Sequence, residues 1–418
     1  MKIAIVGTGV SGLVTAHLLH DAHDLTIFEA ADWIGGHTHT IPVEVEGQRY
    51  DVDTGFIVFN ETNYPSFTRL LSKLGVASQP TSMSFSVHCE RTGLEYNATS
   101  VNSLFAQRRN LVRPAFLRMV RDILRFHKVG APTLEAGVDD STTLGEFVEQ
   151  GGYSRWFGEY FLYPMAAALW SSGIGDVREF PLRHFLEFFD NHRMLQVSGR
   201  PQWRTVRGGS SRYVDPLVAP FRDRIRLETP VDSIRRIEDG GVVIRTAAHG
   251  EERFDAVVLA AHSDQALAML EDPSPAEREI LGAIGYQRND VVLHTDVSQL
   301  PRRPLARAAW NYTIPEDPTE LASVTYGMSL LQSIEAPVEF CVTLNRTAHI
   351  DPSKILGRYD YAHPVFTRGA VAAQARRDEI NGPRNTYYCG AYWGWGFHED
   401  GVRSALEVAR HFGRSLES

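Results

Sequence analysis

Ile3-Ala4-Ile5-Val6 is an unbroken apolar run, the pattern of a parallel strand buried on both faces. Leu13, Ala16, Leu18 and Leu19 then recur at helical spacing up to about His20, and Asp24-Leu25-Thr26-Ile27-Phe28-Glu29 predicts a second strand ending in an acid. Far downstream, further strands are predicted at Pro230-Val231-Asp232-Ser233-Ile234, Val242-Val243-Ile244-Arg245 and Phe254 to Ala261, with a turn at Gly240-Gly241. Thr386 to Gly390 predicts another strand, followed by an aromatic and glycine-rich loop and a helix starting at Gly401-Val402-Arg403.

The intervening chain has different patterns. Residues 83–96 predict a hairpin around Arg91-Thr92-Gly93, and Asp290–His294 and Phe340–Leu344 predict strands of a second, antiparallel sheet. Residues 100–200 are helical in pattern and rich in aromatics, with a weakly patterned linker at 129–141 carrying Gly130, Pro132 and Gly137. The expectation is an α/β protein, and the resemblance to a known family carried by the motifs at 7–12, 35–38 and 399–402 implies a discontinuous Rossmann-like domain at 1–75, 205–285 and 365–418. A substrate-binding domain of antiparallel sheet plus helices takes 76–204 and 286–364.

The length, 418 residues, fits this two-part division, and the 43% apolar and 22% charged residues are ordinary for a globular protein. The formal net charge of -9 argues against bulk nucleic-acid affinity. Cys89, Cys341 and Cys389 are far apart and form no CxxC pair, which fits a reducing compartment. His294, His349 and His363 have no metal-ligand spacing, and no metal is predicted. No apolar run reaches the ~20 residues of a membrane-spanning helix, so the expected location is cytoplasmic.

The first strand runs into Gly7-Thr8-Gly9-Val10-Ser11-Gly12. Strand, GxGxxG, helix, second strand and terminal acid arrive at the spacing of a dinucleotide site. Gly7 permits the tight turn, Gly9 lets a diphosphate approach the backbone, and Gly12 lets helix and strand pack closely. The N–H groups at Val10 and Ser11 and the helix dipole favour an anion. Glu29, with Ala30 beside it, is placed to accept hydrogen bonds from an adenosine ribose.

Gly35-Gly36-His37-Thr38 follows after a short spacer and resembles the flavin-containing amine oxidase superfamily, which also holds protoporphyrinogen oxidase and phytoene desaturase. His37 stands where that family usually carries Arg. Asp51-Val52-Asp53-Thr54-Gly55-Phe56 resembles its stretch along the flavin ring. Arg207-Gly208-Gly209-Ser210 resembles the turn before its second FAD-binding block, in which Val231 is implied to meet the adenine. Glu399, Asp400, Gly401 and Val402 match the family's return to the flavin, with an acid accepting a ribityl hydroxyl. The cofactor implied is FAD. Trp395 is then implied beside the ring, and Tyr392, Trp393 and Trp170 in the substrate pocket; core packing accounts for any one of these rings equally well.

YWGWGFHEDGVRSAL, LAAHSDQAL (259–267), YAHPVF (361–366) and YPMAAALWSS (163–172) are similar to a bacterial branch whose genes commonly lie beside cyclopropane fatty-acyl phospholipid synthases. That resemblance implies oxidation or desaturation of a modified acyl chain, methyl-branched or cyclopropane-type, by hydride transfer to flavin N5. Tyr163 and His398 are the candidates for a catalytic base, because each lies in a resembling motif among aromatics. The alternatives are a flavin amine oxidase acting on a small amine, which would need an aromatic pair such as Tyr392 with Trp393 or Trp395, and a non-catalytic flavin-holding partner of a lipid-modifying enzyme. A lone GxGxxG, without a second one, favours electrons taken from the substrate rather than from a nicotinamide.

Residues 108–128 carry seven Arg/Lys and one acid, a net +6 against -15 for the rest of the chain. Arg118, Arg121, Arg125 and Lys128 fall three or four apart on a helical face after Pro114. This pattern supports two readings, peripheral docking to an anionic inner-membrane face or a solvated surface helix.

Overall fold

In the computed structural model, the described residues are 1–139, 141–170, 177–196, 199–238, 240–317 and 323–417. Ser171 and Ser172, which end the YPMAAALWSS motif, lie outside them. A five-stranded parallel sheet has the order Ile225–Arg226, Asp24–Phe28, Lys2–Val6, Ala256–Leu259, Thr386–Tyr388. The apolar first strand is explained by two-sided burial. Ile3 and Ile5 pack with Leu13 and Val402 on one face, and Ala4 and Val6 pack with Ile234 and Ile280 on the other. One face is covered by the helices Val10–Leu19 and His398–His411. The opposite face is covered by Ser263–Met269, Pro275–Gly282 and a small antiparallel sheet (Val231–Arg236, Val242–Thr246, Gly250–Phe254).

A second sheet of seven strands has the order Ile355–Val365, Gly285–His294, Cys341–Leu344, Ser323–Gly327, Trp310–Ile314, Phe85–Cys89, Leu94–Asn97. The 83–96 hairpin is present. The sheet is mixed rather than purely antiparallel, because Trp310–Ile314 pairs parallel with Phe85–Cys89, strands more than two hundred residues apart that no short hairpin could join. Val291, Leu293 and Val342 pack on the Thr40–Val45/Gln48–Asp53 ribbon, whereas Val87, Tyr312 and Val324 join the helical layer.

That layer holds the Pro114–Glu135 helix, with Pro114 in its first turn, and the Leu182–Asn191 helix. Phe116, Met119 and Phe126 of the first are fully buried, about 1.5–3 kcal/mol each. The expected linker at 129–141 is instead helical as far as Glu135. Gly130 is a contact residue there, since a Cβ on it would lie 2.7 Å from Leu195 Cδ2, and Pro132 is accommodated near the helix end, where few bonds remain to be lost. Among the described residues no helix is long and apolar enough to cross a membrane.

Candidate functional site

One cavity of about 1940 Å³ runs from the carboxyl ends of the parallel strands into the helical layer. This is well above the ~300–1,000 Å³ of a single small-ligand pocket. At its first end lie Gly7, Gly9, Val10, Ser11, Glu29, Ala30 and Val231. Leu13 N donates to Gly9 O, so the N–H groups of Val10, Ser11 and Gly12 precede the first intrahelical bond, and no side chain caps them. A Cβ on Gly9 would meet nothing within 4 Å, so the backbone is bare toward open space. Gly7 (φ +106°) and Gly12 are glycines for packing: a Cβ would lie 2.8 Å from Ala260 O and 2.0 Å from Gly7 O, respectively.

Glu29 is held by its own neighbourhood. Its Oε2 accepts from Thr8 N (2.8 Å) and Thr8 Oγ1 (2.5 Å), and its Oε1 from Ala31 N (2.9 Å), which aims the carboxylate along the wall. The anion-favouring helix end, the open space at Gly9, the acid at the second strand and Val231 opposite together fit the nucleotide half of FAD.

The middle of the cavity is ringed by Gly36, His37, Gly55, Phe56, Tyr392, Trp395 and His398. Gly36 crosses Gly9 so closely that a Cβ would lie 2.9 Å from Gly9 Cα, which brings His37 to the glycine turn. His37 sits 5.3 Å from His363 and 6.1 Å from His262, and 5.1 Å from Tyr361, between ring centroids. Burial, with each ring opposing charge on its neighbour, pushes His37 and His262 down to about 4 and His363 to about 3, so the cluster is neutral at pH 7. Spacing in the sequence separates these histidines; the long Ile355–Val365 strand and the loop after Ala256–Leu259 bring them together. His363 lies within YAHPVF, the one signal that pointed to it. Among the described residues no His, Cys, Asp or Glu group has metal-holding geometry.

The structure corrects several expected roles. Neither candidate base is placed as one. Tyr163 lies off the cavity wall, its ring 5.5 Å from the Arg178 guanidinium carbon, and burial raises its hydroxyl above the usual tyrosine range. His398 does line the cavity, but its Nε2 is committed to Tyr213 OH (2.8 Å) and Thr38 Oγ1 (3.1 Å). Its ring stacks on Phe56 at 3.6 Å, and burial followed by the nearby His37 pushes it down to about 3, too acidic to take up a proton at neutral pH.

The C-terminal helix starts at His398 rather than Gly401, which puts both acids in its first turn. Glu399 accepts from Ser66 N (3.1 Å) and Phe67 N (2.9 Å), capping the Pro65–Lys73 helix. Asp400 accepts from Trp395 N and Phe397 N (3.0 Å each) and so shapes the aromatic loop; burial pushes its carboxyl up to about 7. Neither carboxylate reaches the cavity to accept a ribityl hydroxyl.

Gly401 is a contact between helices, where a Cβ would lie 2.6 Å from Val10 Cγ1, and Val402 is fully buried beside it. Thr38 and Thr54 stand behind the wall; Thr54 Oγ1 pairs with Tyr361 OH at 2.8 Å. Trp393 also lies behind it, donating to Tyr388 O, and is in direct contact with Tyr392 at 4.9 Å and 46°, so the two make no open aromatic sandwich.

At the far end the wall is apolar. Leu104, Ile123, Phe161, Met165 and Leu169 face Phe188, with Trp170 donating to Trp395 O (3.2 Å). Of the carboxylates on the wall, Glu29, Asp232 and Asp264 come from elements of the nucleotide side and Asp360 from the Ile355–Val365 strand; the lining from the helical layer and the segment after it has Arg200, His127 and His192 but no acid among the described residues. Met165, Leu169 and Trp170 lie within YPMAAALWSS, and Trp170 was expected in the pocket; Leu104, Ile123, Phe161 and Phe188 sit in helices with no matching motif, and only apolar and aromatic density marked them in the sequence.

The family model for flavin containing amine oxidoreductases matches residues 10–411. Mouse L-amino-acid oxidase is 26% identical over 311 residues, which are 68% of this chain but only 46% of that protein. A CLA-producing fatty acid isomerase from P. acnes superposes with a TM-score of 0.68 at 18% identity, covering 98% of both chains. Cyclohexylamine oxidase from Brevibacterium oxydans superposes with a TM-score of 0.69 at 16% identity, covering 99% of both. The chain belongs to the flavin containing amine oxidoreductase family, whose members bind FAD, and its fold is theirs.

Proposed function

We propose that this FAD-dependent oxidoreductase oxidises or desaturates a fatty acyl chain, with a methyl-branched or cyclopropane-type chain as the substrate class. The observation that carries the reading is the far end of the cavity, which is apolar, aromatic and free of carboxylates among the described residues. A cationic amine desolvated there would lack the counter-charge that burial demands, whereas an acyl chain needs none. The contact of Tyr392 with Trp393 removes one of the two aromatic pairs first expected to hold an amine, while Tyr392 and Trp395 both line the cavity. The full-length likeness to a fatty acid isomerase is consistent with acyl chemistry in this fold. The modification on the chain rests on the resemblance of the four motifs to the branch found beside cyclopropane synthases.

FAD, when bound, supplies the acceptor for a hydride equivalent. The chain's own residues supply alignment and dryness. Phe188 lies 5.0 Å from Phe397 and 5.1 Å from Trp170, between centroids, forming a rigid aromatic seat at the junction of the apolar end and the ringed middle. An unactivated C–H offers no charge to bind, so rate must come from positioning such a chain and excluding water. The neutral histidines and the His398–Tyr213–Thr38 network fix the middle of the cavity without adding a charged group that would draw water in.

Anaerobic titration of the FAD-loaded protein tests the proposal. Dispersed phospholipids with methyl-branched or cyclopropane chains should bleach the flavin absorbance. Bleaching by primary amines or L-amino acids alone would replace the proposal with amine oxidation. Bleaching by nothing in the panel would favour a flavin-holding partner without catalysis.

A further inference from the structure

We infer that the face around the apolar mouth of the cavity docks on an anionic lipid bilayer, so that acyl chains pass from the membrane straight into the site. This deepens the acyl-chain reading and rests on it only for the fate of the chain, not for the docking itself. The Pro114–Glu135 helix presents three sides. Phe116, Met119 and Phe126 are buried in the helical layer; Val120, Ile123 and His127 line the cavity. The third side is solvent-exposed, and on it Leu117, Arg121, Leu124 and Lys128 alternate at spacings of four, three and four, one stripe of apolar and basic side chains.

Exposed apolar groups concentrate here. Val101 (76%), Val112 (82%) and Leu124 (56%) are open to solvent, with Leu111 and Leu117 beside them in the chain. Val101 and Leu124 also line the cavity, so they form its rim: the opening and the apolar patch are the same place. Arg118, Arg121 and Lys128 are exposed and have no acidic partner among the described residues. Residues 108–128 carry seven basic residues and one acid, on a chain whose net charge is -9.

This charge arrangement selects the occupant. A protein core or a second copy of this acidic chain would leave the cations or the apolar rim unmatched. A layer of acidic headgroups over hydrocarbon matches both, with the cations at headgroup level and the rim residues inserted a few ångströms. The helix is not an independent amphipathic anchor, since its main apolar side is already buried in the protein. Docking is therefore by rim insertion plus charge, and it should be reversible and sensitive to salt.

The test is co-sedimentation of the FAD-loaded protein with vesicles of phosphatidylcholine alone or with phosphatidylglycerol, all with plain saturated chains. The protein should partition onto the anionic vesicles and be released by high salt. Each cation at about 1 kcal/mol amounts to about fivefold, so Arg118→Ala/Arg121→Ala/Lys128→Ala should weaken partitioning about a hundredfold. Leu117→Ser/Leu124→Ser should weaken it with the salt dependence retained. The flavin spectrum and thermal midpoint of each variant report folding. Equal partitioning of the wild-type protein onto both vesicle types, or wild-type binding by the folded triple variant, would overturn the inference. So would displacement of vesicles by an RNA oligonucleotide at equal charge concentration. Plain-chain vesicles separate the two proposals, because docking requires no turnover: binding without bleaching by any lipid sinks only the acyl-chain reading.

Discussion

Gly9 and Gly12 are three residues apart in one motif, yet the structure gives them opposite jobs, and alanine at each position separates the jobs. Gly9 has φ -62°, which alanine adopts without strain, and a Cβ there meets nothing within 4 Å. Gly9→Ala should therefore leave the apo fold at wild-type stability, within about 0.5 kcal/mol. The methyl group would project into the space that the diphosphate must enter to reach the N–H groups of Val10 and Ser11. Charge-assisted hydrogen bonds are worth about 1.5–3 kcal/mol each, so holding the anion off one of them weakens FAD binding by about tenfold to a hundredfold. Gly12→Ala places a Cβ 2.0 Å from Gly7 O and 3.1 Å from Ala260 Cβ, a collision with backbone that cannot rotate away. Overpacking of this kind costs about 1–3 kcal/mol or more and should lower the urea midpoint of the apo protein itself. Flavin-fluorescence titration of apo protein, paired with urea unfolding, reads both quantities. Wild-type FAD affinity in a folded Gly9→Ala protein would refute the placement of the cofactor at the Val10–Leu19 helix end.

Other outcomes follow from the same geometry. Met165→Trp, which fills part of the apolar end, should abolish flavin reduction by acyl lipids while keeping the bound-flavin spectrum; persistent reduction would place the substrate elsewhere. Tyr163→Phe should leave the reduction rate within about twofold, since its hydroxyl is off the wall. Asp53 Oδ1 accepts from Thr40 Oγ1, Ser210 N and Ser210 Oγ at 2.6–2.9 Å, so Asp53→Ala strands buried donors and should cost about 2–4 kcal/mol in urea unfolding. The cavity histidines His37, His262, His363 and His398, lowered to about 3–4 by burial, bind fewer protons folded than unfolded between about pH 4 and 6.5. Stability should therefore fall as pH falls through that window, by about 3 kcal/mol for a single such group, and be insensitive to these groups above it. Asp53 and Asp400, raised to about 7, oppose this by gaining stability over the same fall, but the histidines outnumber them; a urea midpoint that rises from pH 6.5 to 4.5 at constant ionic strength contradicts the assignment.

The parallel sheet and glycine turn were legible because each rests on local rules: a strand buried on two faces must be apolar throughout, and a turn under a helix end must lack side chains. The roles of Glu399 and Asp400 were not legible, since their donors are backbone N–H groups some 330 residues away for one and in the preceding loop for the other. Sequence spacing locates an acid at a helix start but not which helix it caps. The histidine cluster was hidden for a related reason: His37, His262 and His363 come from three segments joined only by the fold. The mixed pairing of the second sheet, and the helix carried through Gly130 and Pro132, show tertiary contacts overriding local breaker signals.

The charge distribution along the cavity also constrains how many ligands it serves. Glu29, Asp232 and Asp264 line it from the elements around the glycine turn and the free helix N–H groups, a polar environment suited to ribose and phosphate. Its other end is mainly hydrocarbon, aromatic rings and thioether, with Arg200, His127 and His192 but no carboxylate among the described residues, and with Val101 and Leu124 on its rim. A single small ligand spanning both would bury polar groups against apolar walls or leave the acidic end unmatched, each at a cost of several kcal/mol. A nucleotide at one end and an apolar group at the other, meeting where His37, Phe56, Trp395 and His398 converge, match both walls at once. The histidines at the junction are held neutral by burial, so this part of the wall draws in less water than a fixed cation would.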